Sequence, residues 1–431
     1  MNYPLPGLFV GFVLTFAAAM AVGELIARLG FPLPASEKRI GQIDGLRGFL
    51  CLAVMFHHFV VWMQMARLGG GWSTPTINFF QMIGSGAVAL FFMATGLLFY
   101  PRIRAGFSAN NWPSIFVSRL FRIVPLSIVA VVMVTGVVMF HTGRGLDEAY
   151  PGAALQWVAA TGMPPLLGYA DSARVSAYVL WTLNMEWIFY LLALPACALL
   201  MELFHRRRWP SWTLPIVLIL AGVVLKEAFH GVTFWKYLPM FATGMLAFEL
   251  SCRPVIARRL QSRSATWAAL ASLAFAAVVF KSPLDLAWPF LAAFFMAVAC
   301  GNDLGGLLRS RAAVVLGECS YGMYLMHGMF LFLLFTHGKA LTDPVPTPFL
   351  PLFLPLLVLI LAPLVSTTYL LVERPGMKTG HSLARRLRKS AHHKAPAAAP
   401  PDRAIVTPPA GSPANRGNPP ADHARTEALR P

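Results

Sequence analysis

Charge is what this 431-residue chain has least of. Asp, Glu, Lys and Arg together make up 12% of it, only 18 residues are acidic, and 57% are apolar. With a mean hydropathy of +0.62 and apolar stretches along most of its length, this is the composition of a polytopic membrane protein. Cysteine is scarce as well. Cys51, Cys197, Cys252, Cys300 and Cys319 lie within or at the ends of apolar segments without C-x-x-C spacing. They indicate neither a metal site nor a disulfide framework, and read as small buried hydrophobes. No internal repeat is visible. The pI near 10.2 does not point to nucleic acid, because the basic residues sit in short loops between apolar runs.

A membrane-spanning segment must satisfy its backbone hydrogen bonds internally, so the fold is expected to be all-α. Spans are expected at about 7–29, 46–66, 77–100, 123–141, 178–203, 211–226, 237–250, 266–281, 286–301, 315–336 and 349–372, about eleven helices. Alternate loops then carry 17 basic residues on one side and 7 on the other. That bias predicts an N-terminus outside and a C-terminus in the cytoplasm. The first helix lacks a preceding basic stretch, so it reads as an anchoring span, with residues 1–38 forming this helix and a linker. Residues 142–177 form the longest external connection, either a plain loop or a short re-entrant piece able to shape an acceptor site. From residue 377 to 431 the composition turns to Pro, Ala, Arg and Ser, which predicts a disordered cytoplasmic tail. Its Arg385-Arg386-Leu387-Arg388-Lys389 cluster suits anionic lipid headgroups, or is simply solvated.

Against that apolar background, a few polar residues fall at depth. Arg47 and His58 are eleven residues apart. At about 100° per residue they share one helix face, roughly 16 Å apart along the axis. Arg47 then sits at the membrane edge and His58 near mid-bilayer, with His57 off the stripe. An ionisable group at that depth is costly unless it lines a polar cavity, so a binding group at the mouth and a proton-handling group below it are expected. A histidine hydrogen-bonded across helices is the alternative, and the favoured one for His57. Asp44 reads most simply as the N-cap of this helix. Glu186 lies about 13 Å into its span. In a hydrocarbon core about 30 Å thick, that puts it level with His58. A carboxylate there is expected to face the imidazole and orient it.

The ordered motifs carry a resemblance. They are Ile43-Asp44-Gly45-Leu46-Arg47 with His58; Arg119-x-x-Arg122 before Pro125; and Trp181-Thr182-Leu183-Asn184-Met185-Glu186-Trp187-Ile188-Phe189-Tyr190. Gly317-Glu318-Cys319-Ser320-Tyr321-Gly322-Met323-Tyr324-Leu325-Met326-His327 and Val372-Glu373-Arg374-Pro375 follow. Over residues 39–376 the chain resembles the acyltransferase-3 family of bacterial membrane O-acyltransferases. The resemblance implies a ten-helix core, with the first span an addition, in the bacterial inner membrane. It implies transfer of an acyl group, commonly acetyl from acetyl-CoA, to a hydroxyl of a polysaccharide, lipid-linked sugar or small molecule. No permanently bound cofactor is expected. Some relatives carry a further hydrolase-like domain, which the polar tail leads us not to expect here.

His58 is then the expected general base, since neutral imidazole suits proton removal from a hydroxyl near pH 7. Glu186 would orient it or touch the acceptor. Arg119 and Arg122, three apart on a helix, would hold coenzyme A phosphates with Arg47, although position alone reads as positive-inside marking. Asp44, Trp181, Tyr190, Tyr321, Tyr324 and His327 are secondary candidates for the pocket, with interhelical packing as the alternative. Glu373-Arg374-Pro375 most simply ends the last helix. A transporter or flippase that uses His and Glu for proton coupling is the rival from another class. It leaves the Arg119-x-x-Arg122 pair unexplained, and no inverted repeat supports it.

Overall fold

In the computed structural model, residues 4–33, 40–69, 71–229 and 231–394 are described, without the side chains of 389–394. Among these residues there is no strand; Leu166 and Tyr169 form an isolated bridge. The first four helices are α1 (Leu5–Arg28), α2 (Gly41–Arg67), α3 (Asn78–Ala105) and α4 (Trp112–Thr142). Short helices α5 (Tyr150–Ala159) and α6 (Ser172–Val175) precede α7 (Leu180–Ile188). A π turn over Phe189–Ala193 joins α7 to α8 (Leu194–Arg206). Then come α9 (Thr213–Ala228), α10 (Thr233–Ser251), α11 (Pro254–Leu260), α12 (Arg263–Val279) and α13 (Trp288–Ala299). The chain closes with α14 (Arg311–Glu318), α15 (Ser320–Thr336), α16 (Lys339–Thr342), α17 (Phe353–Thr368), a π turn at Tyr369–Glu373 and α18 (Arg374–Lys394). The part through Lys389 is one compact unit; of the separate segment from Ser390, only the end of α18 is described.

Each of the eleven expected spans carries helix. Among the described residues six helices are long and apolar enough to cross a bilayer, and up to eight if each bent pair counts as one span. Helices α12 and α13 are shorter, so the structure establishes a multi-pass all-α membrane protein without fixing eleven crossings.

Two apolar clusters make the core. One joins α1, α2, α4, α15 and α17, and the other α2, α3, α8, α10 and α13. Helix α2 contributes to both, which puts its motif residues on the seam. Close approach there requires glycine. A Cβ on Gly45 would meet the Leu308 carbonyl, and one on Gly317 would meet the Asp44 carbonyl. Helix α1 packs on α14 and α17 at the edge of the bundle.

Two expectations about helix ends need correction. Helix α2 begins at Gly41 with Ile40 as its cap, so Asp44 lies in the first turn and is not the N-cap. Pro375 does not end the last helix. The π turn ahead of it re-registers the backbone, and Pro375 falls in the first turn of α18, where a missing N–H costs least. Residues 377–394, expected to be unstructured, are therefore helical. Gly380 and Ala384 are buried against the bundle while Arg385, Arg386 and Arg388 face outward, so the basic composition belongs to one face. The rest of the expected tail, and residues 34–39 of the linker, lie outside the described residues.

Candidate active site

A column of polar side chains follows α2 and α15, which run parallel. Cys51 meets Met323 at 3.4 Å, His58 meets His327, Trp62 packs on Phe332 and Phe335, and Arg67 donates to the Thr342 carbonyl. The unbroken α2 keeps Arg47 and His58 on one stripe about 16 Å apart.

At mid-column, His58 Nδ1 lies 3.0 Å from His327 Nε2. His327 Nδ1 in turn lies 3.1 Å from the Met323 carbonyl oxygen. A carbonyl only accepts, so His327 Nδ1 carries the proton and a neutral His327 presents a lone pair at Nε2. His58 Nδ1 must then donate to it. The relay leaves His58 Nε2 unprotonated, and His58 is only half-buried. Trp72 stacks on the His58 ring at 6.3 Å and 24°. His57 differs: its Nδ1 donates to the Phe80 carbonyl at 2.9 Å, a satisfied interhelical bond.

Glu186 is not beside His58. Its Oε2 accepts from Tyr190 Oη at 3.1 Å, and its charge neighbours are Arg47, Arg122 and Arg119. Helix α7 does not start at the membrane surface, so counting residues from there misplaces Glu186 in depth. The backbone of Ser176 and Ala177 packs on Gly328, next to His327, with Ala177 and Tyr178 in the left-handed region. The connection 142–177 is thus re-entrant, and non-helical backbone at this depth is tolerated because protein surrounds it. Thr182 then bonds Tyr324 at 3.0 Å, one turn below His327. Nine residues beyond Ala177, about 13 Å further along, Glu186 reaches the level of Arg47.

The arginine end draws on several motifs. The Arg119 guanidinium lies over the rings of Phe99 (5.2 Å) and Tyr190 (6.0 Å). Arg122 contacts Met377 Sδ at 3.1 Å. Arg47 has Arg122, Asp44, Glu186 and Glu318 as charged neighbours. Tyr321 Oη bonds Ser127 Oγ at 2.9 Å and the Ile123 carbonyl at 3.0 Å, tying α15 to α4. Trp181 is not part of the column; it packs against Tyr237 and Phe92.

Glu318 and Glu373, not expected as site residues from the sequence, also belong to this end. Glu318 Oε2 accepts from Tyr369 Oη at 2.6 Å, at a 70° bend between α14 and α15. Glu373 is 2% exposed, leaves Oε1 without a hydrogen-bond partner, and has Arg122 and Arg47 as charged neighbours. Their signal was available, since both are acidic residues in apolar motifs. Trp72, in the loop after α2, carried none. Both π turns adjoin the column and place Tyr190 and Glu373 in it, a frequent use of this irregularity. On α18, His381 lies in the field of Arg119 and Arg122 as well as of its own helix neighbours Arg385 and Arg388.

Arginines at one end of an intramembrane column and an oriented imidazole at its centre suit group transfer from a phosphorylated carrier. A search of curated proteins and one of solved structures each returned no match. A family model described as an acyltransferase domain matches residues 40–369, more than half of the chain, and leaves α1 outside it. The chain therefore belongs to the acyltransferase-3 family and is a multi-pass membrane acyltransferase.

Proposed function

We propose that this protein transfers an acyl group, in the simplest case acetyl from acetyl-CoA, to a hydroxyl of a cell-surface polysaccharide, lipid-linked sugar or related glycan. The observation that carries this reading is the His58–His327–Met323 relay. It leaves His58 Nε2 as a lone pair inside the bundle, the requirement for a general base acting on a hydroxyl.

In the proposed reaction His58 Nε2 takes the acceptor hydroxyl proton as the oxygen attacks the thioester carbonyl. The carbon–sulfur bond breaks, and His58 returns the proton to the leaving thiolate. His327 Nε2 accepts the Nδ1–H bond throughout and favours the imidazolium that forms. Arg119 and Arg122, with Arg47, bind the donor phosphates, to which guanidinium forks are matched in charge and geometry. Glu186 and Tyr190 hold Arg119 in place, a role different from the orientation of His58 expected from sequence. The Arg47 end faces the cytoplasm of the inner membrane, where acyl-CoA is supplied, and the α2 C-terminal end faces the acceptor.

The test is mass spectrometry of surface glycans and lipids from a strain lacking the gene, complemented with wild type or His58→Ala. Acyl groups restored by wild type and not by well-expressed His58→Ala support the proposal. Unchanged acylation with failed glycan export would replace it with transport. Acylation changes confined to a secreted small metabolite would move the acceptor to that class.

A further inference from the structure

Helix α18 lies against α4, the helix that carries Arg119 and Arg122. A Cβ on Gly376 would meet the Phe121 carbonyl and one on Gly380 the Phe121 side chain, so the two helices touch at these glycines. Arg122 reaches Met377 Sδ at 3.1 Å, and one turn further His381 lies in the field of both arginines. Arg385 and Arg388 follow His381 by four and seven residues. That spacing stacks the three on one stripe of the helix, about 10 Å long. All three are exposed, whereas Arg119 and Arg122 are half-buried. Helix α18 also begins just beyond residues 40–369, the part that matches the family.

These cations differ from others near helix ends. Arg104 pairs with Glu249 at 3.8 Å, Arg206 with Glu202 at 3.2 Å and Arg309 with Asp303 at 3.8 Å. Helix α18 holds no Asp or Glu, and among the described residues no ion pair forms to His381, Arg385 or Arg388. Like charges one turn apart repel, and an anion bridging them relieves that repulsion. The place beside Arg119 and Arg122 sets this stripe apart from a merely solvated one. An acyl-CoA carries its anions in a matching order. The thioester stands at one end, the diphosphate lies between, and the ribose 3′-phosphate is at the other end. With the thioester directed toward His58, the half-buried Arg119 and Arg122 meet the diphosphate, and the 3′-phosphate stays nearest solvent. Guanidinium forks and an imidazole N–H suit the oxygens of such a monoester.

We infer that His381, Arg385 and Arg388 form the subsite for the donor's 3′-phosphate, which makes α18 the element that distinguishes coenzyme A from carriers lacking that group. The inference rests on the acyl-CoA reading above, and its test reads binding without turnover. Arg386 supplies an internal control. It also faces outward, but it lies about 140° around the helix from His381 and so is off the stripe.

The experiment is calorimetric titration of the full-length protein, in nanodiscs of phosphatidylcholine, with coenzyme A and with 3′-dephospho-coenzyme A. Wild type should bind coenzyme A about tenfold more tightly, the worth of a charge-assisted hydrogen bond. The double variant Arg385→Gln/Arg388→Gln should lose most of that ratio by weakening coenzyme A alone, with 3′-dephospho-coenzyme A bound as by wild type. His381→Ala should lose part of the ratio, and Arg386→Gln should keep it. Thermal unfolding of each variant confirms an intact fold. Equal binding of the two molecules by wild type overturns the inference, as does a double variant that keeps the ratio. Loss of the ratio in Arg386→Gln to the same extent overturns the stripe in favour of diffuse charge. Variants that alter binding only when phosphatidylglycerol is added to the nanodisc reassign the stripe to lipid headgroups. Failure of wild type to bind either molecule overturns the acyl-CoA reading itself, whereas binding without discrimination overturns this inference alone.

Discussion

At the α2 N-terminal end of the column, Arg47, Arg119, Arg122, Glu186 and Glu373 converge from helices and π turns and offset one another's charge. At the opposite end a cavity of about 530 Å³ is walled by the ends of α2 and α15, by Tyr169 and Arg174 of the connection before α7, and by aromatic rings. The difference teaches how this bundle treats buried charge on the one hand and open space on the other. Buried charges are tolerable only when partners are held at defined helical positions, so the arginine end depends on spacing within helices. A cavity shaped by loops can change its lining without disturbing that network.

The comparison breaks most sharply at its midpoint. His58→Ala should lower acyl transfer by about 10²- to 10⁴-fold, the range for losing a general base, while acyl-CoA binding persists. Transfer assayed in proteoliposomes with radiolabelled donor checks this, and near-normal turnover would dismiss His58 as the base. His327→Leu should come next, costing roughly ten- to a hundredfold because a polar partner that fixes ring orientation is lost. His327→Gln, which retains an acceptor oxygen, should recover part of it and shift the pH profile; equal loss in both variants would make His327 a packing residue only.

The arginine end predicts a different signature. Arg122→Gln should raise the KM for acyl-CoA by about tenfold with a smaller change in kcat, as expected when a charge-assisted phosphate contact is removed. A KM shift for the acceptor instead would invert the assignment of the two ends. Gly317→Ala should destabilise the protein by about 1–3 kcal/mol through overpacking against the Asp44 carbonyl, read by thermal unfolding in detergent. The smallest effect belongs to His57→Gln, which should keep transfer within about twofold because its bond to Phe80 serves packing and lies off the donor path.

Much of this protein was legible in its sequence. Hydropathy determined a polytopic all-helical fold, and the eleven-residue spacing of Arg47 and His58 put both on one stripe, because α2 is regular from Gly41 to Arg67. The ordered motifs determined the family. The structure gives the adjacent His57 and His58 different partners, a backbone carbonyl for one and an imidazole for the other. What counting could not supply was depth where the backbone is irregular. The re-entrant chain at Ser176–Tyr178 starts α7 inside the bundle, which moves Glu186 from the level of His58 to that of Arg47. The π turn at Tyr369–Glu373 carries helix past Pro375 and turns Glu373 inward. The identity of the imidazole facing His58, 269 positions away in the chain, was likewise decided only by tertiary structure. A sequence period reports direction around a regular helix, whereas register between helices is set by close contacts such as Gly45 on Leu308 and Gly328 on Ser176, which only the folded chain brings together.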